Sequence, residues 1–95
     1  MQVKLFTVYD SKAEAYFPPW IAPTIKAALR AFSDQVNKSG TPVNSHPEDY
    51  ALFCIGEFDD NSGIVKSISP HMPLGKAIEL VDRESILPTQ LVKSA

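Results

Sequence analysis

Apolar and polar positions alternate from the start of the chain, with Val3, Leu5, Thr7 and Tyr9 on one phase and Lys4, Phe6 and Val8 on the other. Both phases are rich in β-branched or aromatic residues, which predicts a strand over residues 2–9 covered on much of both faces. The pattern stops at Asp10. Residues 10–23 contain three prolines and read as a long connection, because proline excludes a regular helix or a central strand. From Thr24 the period changes to 3.6: Ile25, Ala28, Leu29, Phe32 and Val36 share one face, Thr24 supplies an N-cap, and Gly40 follows Lys38 and Ser39 as the stop. Residues 41–49 are rich in turn formers, and Tyr50 to Phe58 read as a strand apolar on both faces until Glu57, the expected centre of a sheet. Asp59-Asp60-Asn61-Ser62-Gly63 predicts a hairpin loop, with Ile64 to Ile68 returning as the partner strand. Leu74, Ala77, Ile78 and Val81 predict a second helix over residues 73–83. The expected fold is α+β: a small antiparallel or mixed sheet with two helices, in the order β-α-β-β-α. Residues 1–83 form the single domain, and residues 84–95 a C-terminal tail or arm.

Composition narrows the classes of function. The chain of 95 residues is 44% hydrophobic and 21% charged, ordinary values for one folded domain. No apolar run approaches the roughly 18 residues needed to span a bilayer, so no membrane role is expected. The single cysteine, Cys54, lies among Leu52, Phe53 and Ile55 and reads as a small buried hydrophobe, which fits a reducing cytoplasm. Net charge is −2, yet residues 1–38 hold five Lys/Arg against three Asp/Glu, whereas residues 39–64 hold five acids and no Lys/Arg. That asymmetry keeps a nucleic-acid partner open.

Catalytic patterns are missing. His46 and His71 each sit beside a proline and lack the spacing of a zinc site. Glu57, Asp59 and Asp60 offer oxygen ligands for magnesium, but acids at a hairpin tip are commonly just solvated. A Cys54 thiol in an apolar strand is poorly reactive, and there is no glycine-rich phosphate loop. No cofactor or metal is expected, and the chain reads as a binder, not an enzyme.

The remaining chemistry is concentrated in the first 30 residues: Lys4, Lys12, Lys26 and Arg30 among Tyr9, Tyr16, Phe17 and Trp20. Aromatic rings stack on unpaired bases while Lys and Arg meet phosphates. The same three aromatics at 16–20 could instead close an open edge of the core, and composition alone favours that role. Lys26 and Arg30 likewise read as a solvated helix face.

Several segments together carry a resemblance: Lys4-Leu5-Phe6, Asp10-Ser11-Lys12-Ala13-Glu14, Tyr16 with Pro18-Pro19, His46-Pro47-Glu48-Asp49-Tyr50, Ile55-Gly56-Glu57-Phe58-Asp59-Asp60 and Ser62-Gly63. The series resembles the small non-structural protein of gokushovirus-type microviruses, bacteriophages with circular single-stranded DNA genomes, over approximately residues 1–82. The resemblance implies a DNA-binding protein of the host cytoplasm, acting in viral replication or in the switch to single-strand synthesis and packaging. The combined expectation is a basic groove in which Lys4, Lys12, Lys26 and Arg30 neutralise phosphates and Tyr9, Tyr16, Phe17 and Trp20 stack on bases. A homodimer or higher homo-oligomer is expected, joined by strand edges or by the Ile86-Leu87 to Leu91-Val92 tail. The competing expectation is contact with a replication or capsid protein through the aromatic loop 16–20, with Trp20 as the anchor.

Overall fold

The computed structural model describes residues 1–82. The expected tail, with Ile86, Leu87, Leu91 and Val92, lies outside the described residues.

The alternating amino-terminal segment forms β1 (Gln2–Asp10). Its outer edge is occupied by two short strands, β2 (Ala15–Tyr16) and β3 (Trp20–Ala22), both antiparallel to it. Along its other edge runs β4 (Tyr50–Asp59), followed by β5 (Val65–Lys76), so the antiparallel sheet has the order β2-β1-β4-β5 with β3 beside β1. The expected central position of β4 is therefore seen.

One face of the sheet carries α1 (Ile25–Val36) and the one-turn helix α2 (Pro42–Ser45). The Thr24 hydroxyl accepts a hydrogen bond from the Ala27 N–H at 3.0 Å, which satisfies one of the free donors at the start of α1. Ala28, Phe32 and Val36 of α1 are buried against Phe6 and Val8 of β1 and Tyr50, Leu52 and Cys54 of β4. Burying each large side chain of this set stabilises the fold by about 1.5–3 kcal/mol. Asn37 closes the layer: its amide donates to the Ser33 carbonyl at 2.9 Å and the Leu80 carbonyl at 3.1 Å, and its oxygen accepts from the Asp82 N–H at 2.6 Å.

An irregularity in β4 changes which residues face the helices. Leu5 pairs with Gly56 but Phe6 pairs with Cys54, leaving Ile55 as the extra residue of a bulge. On the other side Cys54 pairs with Met72 and Gly56 with Ser67, so Ile55 faces the outward excursion Ile68–His71 of β5. Because side chains alternate along a strand, the bulge moves Phe58 onto the same sheet face as Phe53. Both outer edges contain prolines: Pro18, Pro19 and Pro23 flank β3, and Pro70 and Pro73 lie within β5. None of them can donate a ladder hydrogen bond.

Two expectations need correction. The expected helix over 73–83 is instead the end of β5 followed by a 3-10 turn, Ala77–Leu80. Pro73 and Gly75, the latter at φ +148, shape an extended exit, while Leu74, Ala77, Leu80 and Val81 still reach the core. The apolar spacing there reports contact with the core and not a helical period. The order β-α-β-β-α is replaced by β-β-β-α-α-β-β, because the proline-rich connection at 10–23 contributes two edge strands and the partner strand continues past Ile68 to Lys76.

Candidate functional site

The pleat divides the aromatic residues between two sides of the sheet. Tyr16 and Phe17 are neighbours in an extended segment and therefore point in opposite directions. Tyr16 lies against Tyr9, with ring centroids 4.8 Å apart, and Phe17 lies 5.7 Å from Tyr50 on the helix side. Trp20 also faces the helix side, 6.1 Å from Phe6. Phe17 and Trp20, with Val8, Phe32, Pro42 and Val43, line an apolar pocket of about 270 Å³ beneath α1.

On the opposite face Tyr16 is the centre of a ring cluster. Phe53 stands edge-on to it at 6.1 Å and His71 at 5.9 Å. Tyr16 is 49% exposed, and none of Tyr9, Tyr16 and Phe53 belongs to the hydrophobic core. The register sets Tyr16, Tyr9, Ala51 and Lys76 in one row across four strands. Lys76 ends that row, whereas Lys12, exposed in the turn between β1 and β2, lies beside Asp10, His46, Glu48, Asp49 and Tyr50. Ser11 fixes the turn by donating its N–H at 2.9 Å and its hydroxyl at 3.0 Å to the Asp49 carbonyl. The Asp10 carboxylate accepts from the N–H groups of Lys12 and Ala13.

The other expected cations lie elsewhere. Lys4 shares the helix-side face with Glu57, 3.6 Å away, in an ion pair. Lys26 and Arg30 are exposed on α1. The eight expected residues therefore do not form one groove. Tyr9 and Tyr16 are together on the open face, Lys12 lies in the turn beside His46 and Glu48, and Phe17, Trp20, Lys4, Lys26 and Arg30 are on the helix side. The sequence reading missed Phe53, His71 and Lys76, which come from strands distant in the chain.

The acidic groups have separate surroundings. Asp60 accepts from the Met1 amine at 2.8 Å. Asp59 is held below the usual aspartate range mainly by the Asn61 N–H, a bond of 2.9 Å, with Ser62 assisting. Burial pushes the Tyr50 hydroxyl above its ordinary value, and the neighbouring Asp10 carboxylate adds to that shift. His46, Glu48 and Asp49 have ligand atoms within 4.8 Å of one another. His46 and Glu48 are 67% and 61% exposed, and surface groups of this kind are common without an ion.

A family model described as phage ORF5 protein matches residues 3–80, a span that reaches every strand and helix of the structure. The chain belongs to the phage ORF5 protein family. No curated protein and no solved structure matches it. Among the described residues of this phage ORF5 family member, no helix is long and apolar enough to cross a membrane. The family assignment agrees with a bacteriophage source.

Proposed function

We propose that this ORF5 family member binds single-stranded DNA on the open face of its sheet and acts as a non-structural protein in microvirus genome replication, or in the switch to single-strand synthesis and packaging, in the host cytoplasm. The observation that carries the reading is the cluster of Tyr9, Tyr16 and Phe53 on a face that no described helix covers, with Lys76 at the end of the Tyr16–Tyr9 row. Unpaired bases can stack on such rings for about 1–3 kcal/mol each, without sequence preference, while Lys76 meets a phosphate. Duplex bases are already stacked and offer little to this surface. The protein is read as a binder and not as a catalyst.

Salt dependence tests the geometry as well as the function. For a single strand the slope of log K against log salt is about −0.7 per phosphate neutralised. Lys76 alone gives about −0.7, whereas a surface that also used Lys26 and Arg30 would give about −2.1. Fluorescence anisotropy of a labelled oligothymidine, with a duplex of equal length beside it, measures both quantities. Tyr16→Ala and Phe53→Ala should each weaken binding by about tenfold or more, and Lys26→Ala with Arg30→Ala should leave the slope unchanged. No binding at low salt, or equal affinity for duplex and single strand, would refute the proposal.

A second reading, contact with a replication or capsid protein, draws on the apolar pocket beside Phe17 and Trp20. Trp20 packs on Phe6, so in this reading the pocket receives an apolar side chain of the partner and Trp20 forms its wall. Such binding would change little with salt.

A further inference from the structure

We propose that without DNA the open sheet face is covered by the same face of a second copy, so that pairing of the protein and DNA binding exclude one another. The exclusion rests on the DNA reading above; the pairing does not. Beyond the aromatic row the face continues into a patch formed by Val3, Phe58 and Val65 in one cross-strand row and Leu5 and Ile21 in the next. None of the five belongs to the core, and Ile21 and Val65 are 51% and 58% exposed. No described helix lies over them, because the helices and 3-10 turns pack with one another on the other side.

The patch suits a second copy better than DNA. It has no cation to meet phosphates, and four of its five side chains are aliphatic. A two-fold contact sets a surface against itself, so a charged patch would oppose its own charge, whereas this one carries none.

The size fits as well. Nine residues of β1 at about 3.3 Å each, and a sheet about four strands wide at about 4.8 Å spacing, give a face of roughly 30 by 20 Å. With the relief of its side chains this is of the order of the ~800 Å² that each partner contributes to a standard stable interface. The Val3–Phe58–Val65 end alone falls well short of that, so the pair must also cover the aromatic row.

Sedimentation of the full chain over a range of concentrations, without and with oligothymidine, tests this. The expected result is a monomer–dimer equilibrium without DNA that changes little with salt, and conversion to a complex containing one protein copy when DNA is added. An Ile21→Gln, Val65→Gln variant, uncharged and altered only at exposed positions, should dimerise at least about tenfold more weakly, keep the wild-type circular dichroism, and bind DNA at lower total protein. A wild-type chain that stays monomeric, including one whose face is covered by its own residues 83–95, or a variant that pairs as well as the wild type, overturns the dimer. A DNA complex that retains two copies face to face overturns the exclusion. Absence of DNA binding would remove the DNA reading and the exclusion with it, while sedimentation without DNA would still decide the dimer.

Discussion

Gly56→Ala should loosen the sheet at its centre. A methyl group at this position would stand 2.5 Å from the Lys66 carbonyl oxygen, 3.4 Å from the Lys66 carbonyl carbon and 3.6 Å from Leu5 Cδ1. The first of these is far inside any normal contact, and the atom belongs to the backbone, so no side-chain rotation relieves it. β4 and β5 must separate locally, beside the bulge where their pairing is already interrupted. Overpacking of this kind costs about 1–3 kcal/mol, and weakening one ladder hydrogen bond adds about 1 kcal/mol. A domain of this size has a total stability of roughly 4–14 kcal/mol. With a urea dependence of about 1 kcal/mol per molar, the unfolding midpoint should fall by about 2–4 M. Urea titration followed by circular dichroism measures it. Gly40→Ala is the control: that glycine, at φ +91, has nothing within 4 Å of the added carbon, so it carries backbone strain without a clash. A Gly56→Ala midpoint within about 0.5 M of wild type, or no lower than that of the control, would refute the close approach of the two strands.

Three further outcomes follow from the helix side of the sheet. The raised Tyr50 hydroxyl stays protonated in the fold at a pH where the unfolded chain ionises, so it contributes stability that is complete below the ordinary tyrosine value of 10.0 and is lost as pH rises through the higher folded value. Ultraviolet difference titration should show Tyr50 as the late component among the three tyrosines, absent in Tyr50→Phe; no late component would contradict the assignment. Cys54 is 1% exposed, so a thiol reagent should modify it only as fast as the core opens, and rapid labelling of folded protein would contradict its burial. Asn37→Ala removes the bonds that hold Leu80 and Asp82 to the end of α1 and should cost about 1–3 kcal/mol, with the fastest gain in amide exchange at residues 80–82; unchanged exchange there would show that the turn is held by its apolar contacts alone.

Much of the fold was legible because local chemistry and tertiary contact agreed. β1, α1 with its Thr24 cap, β4 and the hairpin at 59–63 each combine a clear period with a recognisable stop. The end of β5 was misread because Leu74, Ala77 and Val81 reach the core from an extended exit and a 3-10 turn, and the spacing of core contacts does not distinguish that route from a helix. The aromatic residues were legible as a group but not as a surface. Reading 10–23 as a connection hid the alternation that sends Tyr16 one way and Phe17 the other. Phe53 and Lys76 join Tyr16 only through strand register, which the bulge at Ile55 and the excursion of β5 determine. That information is absent from any single segment.

The prolines on the two outer edges determine how this molecule fails when it is crowded. A free strand edge can accept another strand, present a new edge and repeat the process without limit, which is the route to fibres. Pro18, Pro19 and Pro23 interrupt that route on one side, and Pro70 and Pro73 on the other. Association through a face ends once the face is covered. High local concentration, or loss of a ligand, should therefore produce small closed assemblies that dissolve on dilution, and a chain in which Pro70 and Pro73 are replaced by threonine should begin to form thioflavin-positive aggregates that the natural chain avoids.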